Sequence, residues 1–451
     1  YDETVARLDM QYDMEDGGFF SSIETGLRFT QNEFDRRQGA SPTTARAGDI
    51  TLADGDTTSW GLQGDFGFGQ GPAGFPTTWA VVDPDSLIDQ FPLRDDVIPF
   101  NNSNIYTVEE DTTALYFMAN FDEAVGSLRT RGNVGLRYVN TKAGGVGNIN
   151  AETNAGDIVV VGEPTMLEQE YSELLPSFNF LLSPDDPQAP FQLRGAITRA
   201  MTRPTINEMR PEVSVSEPDA EISRGNPGLD PFAAWQYDLG IETYFGANDE
   251  GMFAITGFIK DVENFIVPVS FTETVGFPSA GIAEQQFEVE SFANGGSADI
   301  KGVEMSFQTP FTFLPPPFND FGAMVNYTYI DSEFIDSSGN ANPFPGTSEN
   351  TYNAVLFYER GGFSTRFAYN FRDDYLFEPS SAADGSNNEF VEGAGRLDIG
   401  VRYRWESGFR VALDLINVTE EQVYIYYDVI DRLEDLTMEA MTINLSVGYK
   451  F

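Results

Sequence analysis

Apolar and polar residues alternate with a period of two along most of this chain, the spacing of strands that keep one face in an apolar medium. In the last segment Met441, Ile443, Leu445, Val447, Tyr449 and Phe451 fall on one face, and Thr442, Asn444, Ser446, Gly448 and Lys450 on the other. Leu397, Ile399, Val401, Tyr403 and Trp405 alternate in the same way with Arg396, Asp398, Gly400, Arg402 and Arg404. So do Trp235, Tyr237, Leu239 and Ile241 with Gln236, Asp238, Gly240 and Glu242. Near the start, Ala6, Leu8, Met10 and Tyr12 alternate with Arg7, Asp9, Gln11 and Asp13. Many runs reach nine to eleven residues, with aromatics such as Tyr403, Trp405, Tyr449 and Phe451 toward their ends. Strands of soluble sandwiches are usually about 5–6 residues long. A strand that crosses a bilayer takes ~9–11, with aromatic girdles where lipid meets water. The pattern predicts an all-β chain folded as a transmembrane antiparallel β-barrel, apolar rows on lipid and polar rows on a lumen.

Fifteen such strands are predicted, with Gln285–Gln308 taken as one long strand bulged near Asn294-Gly295-Gly296. Their connections alternate in length. Short ones centre on 16–18, 123–126, 185–188, 247–251, 315–319, 360–362 and 407–408. Long ones cover about 36–110, 143–170, 204–233, 267–284, 334–349, 377–393 and 420–438. Outer-membrane barrels place short turns on the periplasmic rim and long loops on the extracellular one. Bacterial single-chain barrels also have an even number of strands, and an open edge in lipid leaves amides without partners. Fifteen is odd, so residues 1–451 are expected to be the C-terminal portion of a larger barrel, with at least one strand upstream. The chain opens on Tyr1 without a signal peptide, which fits a removed leader or a piece of a longer polypeptide.

Composition removes several function classes. The chain has 26 basic and 71 acidic residues, no histidine and no cysteine, for a net charge of −45. Disulfides and cysteine-ligated metal sites are excluded, as are histidine-dependent triads and haem ligation by histidine. The acidic balance, with Lys142, Lys260, Lys301 and Lys450 as the only lysines, argues against a nucleic-acid partner. No uncharged apolar run approaches the ~20 residues of a spanning helix.

Several stretches in order along the chain carry a resemblance. They are Leu128–Val139, Tyr171–Asn179, Thr202-Arg203-Pro204, Gly225–Pro231 and Tyr237–Phe245, then Lys260–Ile266, Ile300–Glu304, Pro343–Gly346, Leu415–Glu420 and Gly448–Phe451. Together they resemble the C-terminal barrel of TonB-dependent outer-membrane receptors of the Caulobacter- and Xanthomonas-like kind, over nearly the whole chain after Thr107. The resemblance implies a 22-stranded barrel of which the eighth to twenty-second strands are here. It implies a plug domain and a TonB-binding segment outside this sequence, and a multi-pass barrel in the bacterial outer membrane. It also implies active uptake of a scarce nutrient, a carbohydrate or ferric siderophore, with energy from the TonB–ExbB–ExbD complex. Tyr449 and Phe451 match the terminal signal read by the barrel-assembly machinery; as a plainer alternative, Phe451 anchors the strand at the interface.

Candidate site residues follow from pattern and place. Arg137, Arg194, Arg366, Arg372, Arg402 and Arg404 fall on the predicted lumen face. They suit plug carboxylates or an anionic ligand, or form a solvated wall balanced by Asp238, Glu242 and Asp398. Trp60, Trp79 and Phe100 with Asn101 and Asn102 make either an aromatic-and-amide surface for sugar rings or the internal core of the longest loop. Arg203 and Arg210, beside Pro204 and Pro211, serve ligand contact or loop structure. No cofactor is expected. Acidic clusters at Asp83/Asp85, Asp95/Asp96 and Glu109–Asp111 offer oxygen ligands for Ca²⁺, without any EF-hand spacing, and solvated loops account for them equally.

Two other classes stand beside active uptake: a passive 16-stranded porin and an outer-membrane enzyme without histidine. Seven long loops weigh against the porin. Ligand selectivity is expected in loops 36–110, 143–170 and 204–233. Deletion of 36–110 is expected to lower ligand affinity in equilibrium binding, and unchanged affinity removes that loop from the site.

Overall fold

The computed structural model describes residues 1–14, 18–36, 105–185, 190–246, 250–336, 339–379 and 387–450, and the backbone of 57–61 and 78–82. The chain divides into two units, Tyr1–Arg36 with Tyr106–Phe451, and Arg37–Ile105.

The first unit is a meander of antiparallel strands. In order these are β1 (Asp2–Asp13), β2 (Phe20–Arg36), β3 (Tyr106–Val125), β4 (Leu128–Glu152), β5 (Ile158–Pro184), β6 (Phe191–Thr202), β7 (Phe232–Phe245) and β8 (Gly251–Glu263). They continue as β9 (Ala298–Pro310), β10 (Phe321–Ile335), β11 (Asn350–Arg360), β12 (Phe363–Arg372), β13 (Ala394–Arg404), β14 (Phe409–Ile416) and β15 (Thr442–Tyr449). Each pairs with the next, so these fifteen strands make one continuous wall. With five loop strands the sheet has 20 strands. Among the described residues no pairing joins β1 to β15, so the wall is open.

Register decides which residues share a face, because opposed residues in antiparallel strands point the same way. Leu8, Leu27, Leu115, Tyr138 and Leu174 lie opposite one another across β1–β5. All are about half exposed, from 46% for Tyr138 to 58% for Leu8. The row two residues along is Met10, Thr25, Phe117, Leu136 and Pro176. Leu356, Phe367, Ile399, Leu415 and Ile443 form such a row across β11–β15. The reverse face is polar: the Tyr116 hydroxyl donates to Asp9 and the Asn120 amide to Glu24, each at 2.8 Å.

Soluble proteins rarely expose contiguous apolar patches above a few hundred Å². Here the exposed belt has edges. Toward the long-loop rim it gives way to Thr4, Gln31, Asp111, Lys142 and Glu170, where Lys142 and Glu170 pair at 3.3 Å. At the short-turn rim rings gather: Phe19 stacks on Phe121 at 5.1 Å, and Tyr403 meets Trp405 edge-on at 4.4 Å between centroids. An apolar belt between a polar row and an aromatic girdle is how a strand wall meets a bilayer.

The dry core lies beyond the long-loop rim instead. There the upper end of β4 pairs with Val213–Ser216, which pairs with Glu221–Arg224, which pairs with Ile282–Asn294, which closes on Ile266–Phe277. Val215, Ile222, Phe287 and Val289 from this loop sheet are fully buried together with Ala151 and Ile282. A second loop sheet comprises Tyr375–Glu378, Glu389–Val391, Gln422–Tyr427 and Leu433–Met438.

Two expectations about the strands are corrected. Gln285–Gln308 is not one bulged strand: it divides at 295–297 into Ile282–Asn294, in the loop sheet, and β9, in the wall. Burial of Phe287 and Val289 in the loop core holds the first piece away from lipid, and Asn294 ends it by donating to the carbonyls of Asp230 and Asn264 at 2.9 and 3.0 Å. The wall count of fifteen stands because only β9 enters it. The 143–170 connection is mostly strand, since β4 and β5 stay paired as far as Glu152 and Ile158.

In the second unit Thr57–Gly61 pairs with Thr78–Val82, with Trp60 opposite Trp79 in register.

The belt generates a direct test. Leu115→Arg puts a charge on the lipid face and is expected to cost about 2–4 kcal/mol in denaturant titrations of the liposome-inserted barrel. Gln11→Arg on the polar face is expected to stay within about 0.5 kcal/mol.

Candidate functional site

The two loop sheets enclose a cleft of about 350 Å³. The first contributes Ser223 and Glu290, the second Glu378, Glu389 and Tyr427, and Arg210 reaches in from the segment after β6. An apolar cluster holds the sheets in place: Val267 of the first and Leu376 of the second bury against Val262, Ala298 and Phe334 at the ends of wall strands. Phe265 knits this cluster, with its ring 5.7 Å from Phe334 and 4.9 Å from Phe344.

Arg210 is placed by local sequence. Thr205 and Glu208 form a capping box around the single-turn helix α1 (Ile206–Met209), each side chain bonding the other's backbone N–H. Arg210 ends that turn. The Gly225–Pro231 stretch then packs against it. A Cβ on Gly225 would stand 2.5 Å from both the nitrogen and the oxygen of Arg210, so the backbones approach as only glycine allows. Asn226 donates its backbone N–H to Glu208 O at 2.7 Å and its amide to Phe292 O at 2.8 Å. The guanidinium of Arg210 donates to Asn207 Oδ1 at 2.8 Å and Ser223 Oγ at 2.7 Å. The neighbouring Arg224 pairs with Glu273 at 3.0 Å and lies 5.6 Å from the Phe271 ring centroid.

Acid groups crowd the cleft. Burial, then the charges of Glu434 and Glu378, push the Glu389 carboxyl above its ordinary value. Burial, then Glu290, does the same to Glu221. The Tyr427 hydroxyl, hydrogen-bonded to Glu434 and partly desolvated, is pushed up to about 12, so it stays a neutral phenol.

The sequence-predicted residues are dispersed. Arg210 lines the cleft. Arg203 instead donates Nε to Thr141 at 3.2 Å and stands 3.8 Å from Glu110, tying its loop to the inner face of the wall. Arg137, Arg194, Arg366, Arg372, Arg402 and Arg404 lie by register on the face opposite the apolar rows. Arg194 pairs with Glu242 at 2.8 Å and Arg402 with Asp414 at 3.4 Å. Arg372 donates to Ser348 Oγ and Gly346 O and covers the Tyr375 ring at 3.7 Å. Among the described residues Arg137, Arg366 and Arg404 have no ion pair. Phe100, Asn101, Asn102 and Phe451 lie outside the described residues, as do the side chains of Trp60 and Trp79 and the acidic pairs at 83–85 and 95–96. Tyr449 is half exposed on β15. Glu109 and Asp111 alternate with Glu110 along β3, so these three carboxylates do not converge; among the described residues no acidic group forms a metal site.

Sequence reasoning missed Glu290, Asn387, Glu389 and Tyr427. They come from three separate segments, Asn387 and Glu389 from one of them, and no spacing in the sequence links the three. Of the three loops expected to carry selectivity, 204–233 contributes; the remaining walls come from 266–294, 373–393 and 422–438.

The family model for the β-barrel of TonB-dependent-receptor-like proteins matches residues 1–418. No curated protein sequence matches the chain. Among solved structures it is similar to the siderophore receptor PiuA from Acinetobacter baumannii, with 12% identity, coverage of 100% of this chain and 56% of that one, and a TM-score of 0.59. It is similar to the ferric-catecholate import receptor Fiu from K12 E. coli, at 12% identity, 100% and 54% coverage, and a TM-score of 0.59. The copper transporter OprC gives 13% identity, 100% and 56% coverage, and a TM-score of 0.57. The chain thus spans little more than half the length of these receptors.

Two outcomes are expected. Gly225→Ala overpacks the contact with Arg210 and should loosen loop 204–231 by about 1–3 kcal/mol, read as faster amide exchange there. Glu221 and Glu389 have folded values above the unfolded one near 4.5, so they add stability below that value and lose it as pH rises through the folded one. Amides of 221–224 and 389–391 should therefore be better protected at pH 5 than at pH 7, after correction for intrinsic exchange. Glu389→Gln should remove the difference at 389–391.

Proposed function

Since this chain belongs to the TonB-dependent receptor β-barrel family, we propose that it is the C-terminal wall and loop surface of an active outer-membrane transporter that takes up a scarce nutrient. The observation that carries the reading is the cleft itself. The loops at one rim are folded into two sheets with dry cores, which hold Arg210, Glu290, Glu389 and Tyr427 around a recess fit for a small molecule. A passive porin has no use for a built recess above its mouth. PiuA is a siderophore receptor, Fiu a ferric-catecholate import receptor and OprC a copper transporter, and the cargo classes put forward for this chain are carbohydrates and ferric siderophores.

In this reading the polar face of the wall receives a plug, and Arg137, Arg366 and Arg404 offer it guanidiniums free to fork onto carboxylates. Energy comes from the TonB–ExbB–ExbD complex through the N-terminal part of the receptor. Tyr449 and Phe451 serve the barrel-assembly machinery, with the belt in contact with outer-membrane lipid. Trp60, Trp79, Phe100, Asn101 and Asn102 make a further ligand surface. The receptor does no chemistry on its cargo and needs no resident cofactor, and any Ca²⁺ would sit on the acidic loops.

The test compares coupling with leakage in the full-length receptor. Purified periplasmic TonB domain is expected to bind it in calorimetry, and planar bilayers containing it are expected to show no steady KCl conductance. Stepwise open-channel conductance without TonB binding would establish the porin instead.

A further inference from the structure

The geometry points to a neutral, hydroxyl-rich ligand, a glycan, as the occupant of the loop cleft, in place of an anionic ferric chelate. This rests on the reading of the cleft as the cargo site.

The charges come first. Five ionised side chains line the cleft: Arg210, Arg224, Glu290, Glu378 and Glu389. Arg224 is already neutralised by Glu273 at 3.0 Å. That leaves one guanidinium against three carboxylates, with Glu221 close behind Glu290 and Glu434 close behind Glu389. A ferric tris-catecholate carries several negative charges, and in a partly buried recess like charges repel far more than in water. A site built for it presents unpaired cations, and this one presents acceptors.

The mixture of groups then separates a polyol from a simple cation. A cation uses acceptors only. Here donors are interleaved with the carboxylates: Arg210 keeps N–H groups beyond those given to Asn207 and Ser223, and Asn387 adds an amide. A sugar hydroxyl both donates and accepts, so neighbouring hydroxyls on one ring satisfy a carboxylate and a guanidinium together. Phe292 and Pro268 supply apolar surface for the C–H face of such a ring. The recess of about 350 Å³ falls in the ~300–1,000 Å³ range of small-molecule sites.

The experiment uses the full-length receptor, purified in detergent. It is applied to an array of neutral and acidic oligosaccharides and, separately, titrated with a ferric tris-catecholate by fluorescence quenching. Expected are binding of neutral oligosaccharides and none of the ferric complex. The double variant Glu290→Gln/Glu389→Gln should weaken the glycan by about tenfold or more, as expected when charge-assisted hydrogen bonds become neutral ones. Its fold is checked by near-wild-type TonB-domain binding. Absence of any glycan binding overturns the proposal, as does ferric-complex binding that tightens in the double variant. Glycan binding untouched by the variant overturns the assignment to this cleft. If the TonB domain binds normally while the glycan result is negative, the ligand class alone fails; loss of both removes the receptor reading as well.

Discussion

Every peptide group of the wall needs a partner on a neighbouring strand, because hydrocarbon offers no water to take its place. That requirement makes strand pairing compulsory, and pairing fixes register. Register in turn fixes which residues meet lipid: slipping one strand by a single residue would carry Leu115 inward and Tyr116 outward. The apolar rows are therefore held in line by the backbone ladder, with little packing between side chains to help. This explains why residues as large as Leu8, Leu174 and Ile443 stand exposed on a chain whose buried core is small.

The loop rim obeys the opposite logic. Water is present there, so the hydrophobic effect operates and buries Phe287, Val289, Phe334 and Leu376 completely. The same polypeptide thus solves two folding problems with one alphabet of strands. In the wall alternation turns apolar residues outward; in the loop sheets it turns them toward one another. The join runs through Val262, Ala298 and Phe334, at the ends of wall strands, which anchor both loop sheets and so set the width of the cleft.

Charge is sorted along the same division. Arginines are few in so acidic a chain, and Arg137, Arg366 and Arg404 lie on the polar face of the wall without an ion pair among the described residues. In the cleft carboxylates prevail, and burial, then neighbouring carboxylates, makes Glu389 there and Glu221 behind Glu290 hold protons more readily than usual. Arg203 and Arg210 show how little neighbouring sequence says about role. One fastens its loop to Thr141, and the other, seven positions on and at the end of a capped turn, enters the cleft.

The wall was written in the sequence, since a period of two, long and short connections and terminal aromatics are local facts that demand no knowledge of distant residues. Fifteen wall strands and the lipid-facing identity of Leu239, Phe367 or Leu445 follow from them. The fate of 282–294 was not written there: its alternation suits lipid as well as a loop core, and only the nearness of Ile222 and Val215 decides between them. Apart from Arg210 and its loop, the cleft belongs to the tertiary structure. Arg210, Glu290, Glu389 and Tyr427 are spread over four segments, and they meet because Val267 and Leu376 are driven into one dry cluster, a contact between positions more than a hundred residues apart that no periodicity encodes.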